Sequence, residues 1–444
     1  MRTQSDSASG SPATGTLYSV SNNYIGATSP WRESAITWNN APSLSSGALA
    51  AVGDTRESQD VEVSVDNIVK AAGTYSFALV GDSTNSAFFD SAEEGPTGPT
   101  LRLTCSAGAT PTPTTTATAT PTPTSTATPK PTAGIWISRA EVMALPMSGK
   151  AWEALKRDAL SSWGTPDIQN QDSNQDVLTF AGAIYAVRTG DKVVEQRVVQ
   201  SLEDAMGTES GGRTLALGRN LLSYVLAADI IGYRDAAFVN WVSKVRSTTL
   251  DGRTLVSTHN DRPNNWGTHA GASRMAADLY VGDMSDFAKA ATVFRGYLGD
   301  RNAYAGFKYG ELWWQADPSK PVGINPQGAM KDGHPIDGVL PDDQRRAGDF
   351  TWPPPKENYV WEALQGATVQ AEILTRAGYP AWSWSDEALR RAIIWLHDVD
   401  AFPAGNDDTW IPWLVNSAYG TRFPAPSPAR HGKNIGYADW THAQ

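Results

Sequence analysis

The sequence predicts a multidomain chain, with an N-terminal all-β sandwich, present only in part, and a C-terminal all-α helical toroid. Three observations carry this. Residues 109–132 are built almost only of Thr, Pro and Ala, and they divide the chain. Before them, apolar residues alternate with period two. After them, apolar residues recur at spacings of three and four. The dividing segment has no side chains that could form a core, and Pro-rich composition favours extended, semi-rigid polyproline II. Residues 106–133 therefore read as a linker between domains 1–105 and 134–444.

In the first domain, Leu17-Tyr18-Ser19-Val20 precedes an Asn22-Asn23 turn, and Ile36-Thr37-Trp38 precedes Asn39-Asn40-Ala41-Pro42. Val61-Glu62-Val63-Ser64-Val65 alternates strictly. Tyr75-Ser76-Phe77-Ala78-Leu79-Val80 and Leu101-Arg102-Leu103 complete the set. Short alternating runs between Gly, Pro and Asn clusters predict a sandwich. Five or so strands are few for one, and open edges invite aggregation, so the sandwich is expected to be incomplete.

In the second domain, helical periodicity covers 152–160, 177–187, 215–231, 236–245, 270–281, 287–298, 359–377 and 388–396. Gly190, Gly207, Gly232, Gly282, Gly299 and Gly378 stand at or just past the ends of these runs, where C-caps belong. Repeated helical hairpins over so long a stretch predict the toroid. Residues 301–355 break the pattern, are rich in Gly, Pro and Trp, and are too long for a plain connector, as functional loops are.

Composition narrows the function. The 444 residues carry 36 Lys+Arg against 47 Asp+Glu, a net charge of −11, which argues against nucleic acid as the main partner. No apolar run approaches the ~18–20 residues needed to cross a bilayer, so no membrane span is expected. The one cysteine, Cys105, leaves no internal disulfide and no Cys-rich zinc site. There is no His-x-x-x-His pair, no Ca-binding loop spacing, no phosphate-binding loop and no nucleophile elbow, so neither metal nor cofactor is expected. No apolar leader follows Met1, although a Thr/Pro linker is typical of secreted multidomain enzymes, so secretion from an incomplete N-terminus is expected. The 17 Trp residues fit a large helical core, and some could stack on sugar rings.

Several segments resemble known families. Residues 16–23, Trp31-Arg32-Glu33-Ser34-Ala35-Ile36-Thr37-Trp38-Asn39-Asn40-Ala41-Pro42 and Gly73-Thr74-Tyr75-Ser76-Phe77-Ala78-Leu79-Val80 resemble the later part of a DNRLRE-type β-sandwich. Such a sandwich is a carbohydrate-binding module often found beside alginate lyases. The helical domain resembles the alginate lyase superfamily through Gly218-Arg219-Asn220-Leu221-Leu222, Ala227-Ala228-Asp229 and Asn264-Asn265-Trp266-Gly267-Thr268-His269. Asp337-Gly338-Val339-Leu340-Pro341 with Arg345-Arg346, Asn358-Tyr359, Ala371-Glu372-Ile373 and Gly432-Lys433-Asn434-Ile435-Gly436-Tyr437-Ala438-Asp439-Trp440 extend the likeness. The resemblance implies an incomplete (α/α) toroid and cleavage of an anionic polysaccharide by β-elimination. In better-known members His directly follows Asn-Asn; here Trp266 holds that place and His269 comes three later. The family's Tyr position aligns near Lys356, with Tyr359 one helical turn on.

β-Elimination from a uronate needs donors or cations to neutralise the carboxylate, a base for the C5 proton and an acid for the leaving O4. Asn265 and His269 are four apart and share a helix face, placing an amide beside an imidazole. Asn264 is either a further substrate donor or the cap of that helix. Arg345 and Arg346, in the irregular loop beside Asp342-Asp343, offer guanidinium forks for a carboxylate. Tyr359 is the candidate acid, or acid and base together, with Lys356 as a weaker substitute. His334 on a Gly/Pro-rich loop, Lys308, Trp313 and Trp314 are candidate sugar contacts, with at most one of the two Trp lining a cleft. Two alternatives stand beside the lyase. One is a glycoside hydrolase on a similar toroid, drawing on Asp229, Asp278, Glu311 or Glu362; the other is a non-catalytic polysaccharide-binding protein. Neither the oligomeric state nor the particular uronate can be read from the sequence.

Overall fold

The protein is described from a computed structural model, covering residues 3, 14–23, 36, 41–42, 49–65, 75–81, 89 and 134–443. The chain divides into two compact units, Met1–Pro121 and Thr122–Gln444, and the division falls inside the Thr/Pro-rich segment.

The N-terminal unit contains a small antiparallel sheet. Its strands are β1 (Gly15–Val20), β2 (Ala50–Val52) and β3 (Ser76–Val80), in the order β2-β1-β3. Leu17 pairs with Leu79 on one side and with Ala50 on the other. Leu17, Val20 and Val52 are buried, and the Thr14 and Thr55 hydroxyls meet at 2.6 Å. β2 has no counterpart in the sequence reading. Residues 61–65 alternate between half-buried and exposed as their pattern predicts, yet they join no ladder. Alternation reports a two-faced extended segment and not its pairing. The expected strands at 36–38 and 101–103, and Trp31 and Trp38, lie outside the described residues, apart from the lone Ile36.

The C-terminal unit is helical: α1 (Arg139–Ala144), α2 (Lys150–Leu160), α3 (Gln175–Thr189), α4 (Lys192–Ala205), α5 (Thr214–Ile231), α6 (Ala236–Val245), α7 (Leu255–Asp261), α8 (Asn265–Val281), α9 (Met284–Tyr297), α10 (Pro341–Gln344), α11 (Tyr359–Arg376), α12 (Trp384–Ile394), α13 (Ile411–Tyr419) and α14 (Ala438–Thr441). Ser138 with Glu141 and Thr254 with Ser257 form capping boxes, while Asp191, Asp235 and Asp283 cap α4, α6 and α9. Gly190, Gly232 and Gly282 close α3, α5 and α8 in the left-handed conformation. Helices α1, α4, α7, α10, α13 and α14 have no counterpart in the sequence reading. The 301–355 stretch holds only α10, a 3₁₀ turn at Arg345–Ala347 and the two-residue strands Met330–Lys331 and His334–Pro335.

Helices α3, α5, α8 and α11 are buried around almost their whole circumference and pack side by side. Contrary to the expectation that no apolar run approaches the length of a span, α5 is long and apolar enough to cross a membrane, because scattered Arg219, Asn220 and Asp229 interrupt it without ending it; it lies buried between its neighbours. α2, α4, α6, α7 and α9 lie against this row. α5 and α8 run parallel, since Gly218 near the start of one meets Ala270 near the start of the other, and Tyr280 near the end of α8 reaches the Tyr233 carbonyl just past α5. α8 and α11 are parallel too, with Thr268 against Gly366 and Gly271 against Gln370 further along. The N-terminal ends of α5, α8 and α11 therefore share one end of the row.

Glycine sets the spacing. A Cβ on Gly366 would stand 2.3 Å from the Thr268 carbonyl carbon, and one on Gly218 would stand 2.9 Å from the Ala270 nitrogen. Replacing Gly366 by Ala forces α8 and α11 apart and should cost about 1–3 kcal/mol. Chemical denaturation of G366A measures this, and an unchanged midpoint would show that the two backbones are not in contact.

Candidate active site

The shared N-terminal end gathers the polar residues of the helical row. His269, on the second turn of α8, is fully buried. Its Nδ1 meets the Asn434 Oδ1, while the Asn434 amide nitrogen donates to the Gly218 carbonyl at 2.8 Å. An amide oxygen only accepts, so Nδ1 carries the imidazole proton and Nε2 keeps its lone pair. Asn434 is itself clamped. The Ser223 hydroxyl donates to its carbonyl at 2.5 Å, and the preceding Lys433 N–H donates to Gln365 Oε1 at 2.7 Å. The C-terminal segment thus completes a site whose other members come from α5, α8 and α11.

His269 Nε2 lies 3.6 Å from Glu362 Oε2, and the same oxygen accepts from Arg219 Nη2. Arg219 lies on α5 and Glu362 on α11, one turn past Tyr359. Burial lowers the His269 imidazole below its ordinary range, with Arg219 assisting and Glu362 opposing. The imidazole is therefore neutral near pH 7 and able to take a proton. Burial tends to raise the Glu362 carboxyl, but His269 and Arg219 outweigh it and hold that group ionised. Glu362 is the most open of the three, with its side chain 13% exposed against 5% for Arg219 and 0% for His269.

Asn265 and Asn264 take different parts. Asn264 is the N-cap of α8, with Oδ1 accepting from Trp266 N at 3.2 Å and Nδ2 donating to Asp342 Oδ2 at 2.7 Å. The structure thus gives it the capping role. Asn265 is fully buried, and its Nδ2 has no partner. Its backbone N–H donates to Asp343 Oδ1 at 3.0 Å. Burial and neighbouring Asp342 push the Asp343 carboxyl well above the usual range. The turn at α10 is thereby docked onto the start of α8, so the 264–269 and 342–362 segments face each other.

The remaining candidates lie around this end or away from it. Arg345 is held by Asp342 at 2.9 Å and by Glu311, and Gly310 N donates to Asp342 at 2.8 Å. The Arg346 guanidinium lies 4.0 Å over the Tyr359 ring, and Tyr359 is 38% exposed. Lys308 pairs with Asp261 at 2.8 Å. Lys356 donates to the Asp400 carbonyl and lies 3.4 Å from its carboxylate, which commits it to the 400 turn. His334 stacks on Trp352 at 4.4 Å. Trp314 is fully buried, its indole N–H donating to Gly348 O at 3.1 Å, so its ring packs in the core and offers no face to a sugar; Trp313 is 41% exposed. Of the carboxylates considered for hydrolysis, Asp229 bonds Arg234 and the Ile135 N–H, Asp278 pairs with Arg246, and Glu311 holds Arg345. Only Glu362 stands in the site.

Sequence reasoning gave no role to Arg219, Gln365, Lys433 or Asn434. One signal was available: Arg219-Asn220 interrupts an otherwise apolar helix, and a buried polar pair there needs partners. Among the described residues, no three His, Cys, Asp or Glu side chains converge to hold a metal ion.

Comparison with known families identifies one part of the chain. Residues 1–105 match the family model for carbohydrate-binding module family 96. No curated protein matches the chain.

The Asn434 contact can be measured directly. Asn434→Asp puts a negative charge against Nδ1 and should move the His269 titration midpoint upward, as read by ¹⁵N-resolved NMR of the imidazole. Asn434→Ala should destabilise the fold by about 1–3 kcal/mol, since it strips the Gly218 carbonyl of its donor and opens the clamp on His269. An unmoved midpoint in N434D would refute the contact.

Proposed function

We propose that the chain is an extracellular polysaccharide lyase. Its helical unit cleaves a uronic-acid polymer of alginate or glucuronan type by β-elimination, and its N-terminal module holds the polysaccharide. In this reading the helical row with its outer layer is an incomplete (α/α) toroid, and the N-terminal sheet belongs to a β-sandwich. The observation that carries the proposal is the pair of buried, unpartnered nitrogens, Asn265 Nδ2 and His269 Nε2, on one face of α8 beside the Arg219–Glu362 pair. Unsatisfied buried polar atoms are costly, and a ligand is one way to satisfy them. The positive ends of three helix dipoles at the same place add to the attraction for an anion.

The chemistry follows from the positions. A uronate carboxylate entering here takes the place of Glu362 against Arg219 and accepts from the unpartnered Asn265 Nδ2, which neutralises it and makes the C5 proton removable. His269 Nε2 takes that proton, the C5–H electrons form the C4–C5 double bond, and the C4–O4 bond breaks. Tyr359, exposed and one turn before Glu362 on α11, gives its proton to the departing O4. Arg345 exchanges its exposed partner Glu311 for a carboxylate on a neighbouring sugar.

Glycoside hydrolysis has one observation in its favour. Burial, with Asp407 assisting, raises the Asp408 carboxyl to about 8, while Glu362 is held ionised, and Gln365 joins Asp408 to the tail at the site. Two carboxyls driven apart in this way form an acid–base pair. Asp408 is buried, however, and a hydrolase leaves Asn265 and His269 without a task.

Incubation with alginate or glucuronan should release an unsaturated product that absorbs in the ultraviolet. Reducing ends without that absorbance would favour hydrolysis, and a folded chain that releases neither from any polyuronate would sink both readings. His269→Ala should reduce turnover by about 10³-fold or more while the circular dichroism spectrum stays native. Removing residues 1–130 should leave turnover of soluble polymer intact and abolish retention on insoluble polysaccharide, which a pull-down assay measures.

A further inference from the structure

We propose that Trp266, Arg213 and Arg262 form a binding subsite for an acidic sugar residue at the rim of the Arg219–Glu362–His269 network. The choice of ligand rests on the polyuronate reading above; the geometry of the subsite does not.

Asn265, Gly267, Thr268 and His269 are all buried in the first turns of α8, and Trp266 among them keeps open surface. Its ring centre has two guanidinium groups around it, Arg213 at 5.4 Å and Arg262 at 5.6 Å. Arg213 is the N-cap of α5, and Arg262 ends α7, so two separate elements bring positive charge to one indole. Some guanidiniums in the unit close onto a ring, as Arg197 does over Trp163 at 3.8 Å, while Arg295 stands 5.6 Å from Trp384. At Trp266 neither Arg approaches so closely, and the ring is not sealed.

Among the described residues neither cation has a carboxylate within ion-pair distance. Asp342 and Asp261 act on Arg262 only from beyond it. Arg213 donates only to Gln171 Oε1, at 2.7 Å, and Arg262 Nε is buried without a partner. The acids that could have served Arg262 are already engaged. Asp261 is held by Arg253 at 3.1 Å and by Lys308 at 2.8 Å, and Asp342 by Arg345 at 2.9 Å. The neighbouring cations Arg219, Arg345, Lys308 and Lys433 are all paired. Two unpaired guanidiniums beside one half-open indole match a pyranose that bears a carboxylate. The C–H face of the sugar packs on the ring, and the carboxylate takes the guanidinium fork. A neutral sugar uses only the ring.

The test is calorimetric titration of the full chain with an oligouronate and with its carboxyl-reduced counterpart. The N-terminal module is the same in wild type and variants, so differences report the helical unit. Arg213→Gln together with Arg262→Gln should weaken oligouronate binding by roughly tenfold and leave the reduced oligosaccharide unaffected, whereas Trp266→Ala should weaken both. Arg213→Gln alone alters an exposed side chain, cannot threaten folding and should still give part of the uronate-specific loss. Uronate affinity unchanged in R213Q and in the folded double variant would overturn the subsite and leave the three residues as ordinary arginine–indole packing. The two proposals separate cleanly. Wild type that binds but never cleaves, with oligouronate binding weakened in R213Q/R262Q, supports the subsite and removes the lyase. Wild type that cleaves, with a KM indifferent to all three substitutions, keeps the lyase and removes the subsite.

Discussion

The close parallel approach of α8 to α5 and α11 is the constraint on which the helical unit depends. Side chains at positions 218 and 366 would collide with the backbone of α8, so glycine there is a condition of the geometry. The consequence is electrostatic. Once the helices touch, Arg219, His269 and Glu362 are enclosed, and isolated buried charges or dipoles are expensive. They are tolerable because the same approach brings them to one another, and because Asn434 arrives from the far end of the chain to satisfy the imidazole. Packing and site are therefore one arrangement: a wider row would open the polar residues to water, and a row without them would leave no reason for their burial.

Much of the fold was legible in the sequence because the signals are local. Gly190, Gly232 and Gly282 close helices as their positions implied, and α6 spans 236–245 as its periodicity predicts. What failed was the inference from periodicity to environment. α8 has the look of an amphipathic helix start, yet it is buried nearly all round, because its small residues, among them Gly267, Ala270, Gly271 and Ala272, let neighbours close in on every side. The pair Asn265 and His269 was readable, since a spacing of four is a property of one helix. Asn434, separated from His269 by 165 residues, and the Arg219–Glu362 pair, separated by 143, were not. No local pattern encodes which distant polar group will meet another; only the lone polar stretch inside an apolar helix hints that some partner must exist.

The chain is net acidic, yet at the end of the helical row that carries the candidate site Arg213 and Arg262 have no carboxylate within ion-pair distance among the described residues, while Arg219, Arg345 and Lys433 are paired, and the positive ends of α5, α8 and α11 lie there too. Long-range repulsion between an acidic protein and a polyanion is screened within about 8–10 Å at physiological salt, so the local field decides binding.

That local field also bears on selectivity in the proposed reading. Arg219 and Arg345 are occupied by Glu362 and Glu311, carboxylates of the protein's own. A uronate that displaces Glu362 exchanges one carboxylate for another, so Arg219 is not left unpaired, whereas Arg345 keeps Asp342 in either case. A neutral sugar that pushed Glu362 aside would strand a buried Arg219 without a counter-ion, a loss that stacking on an aromatic ring does not offset. In the proposed reading the Glu362 carboxylate on Arg219 thus acts as a filter, displaced at little cost by a ligand of its own charge and at high cost by one without it.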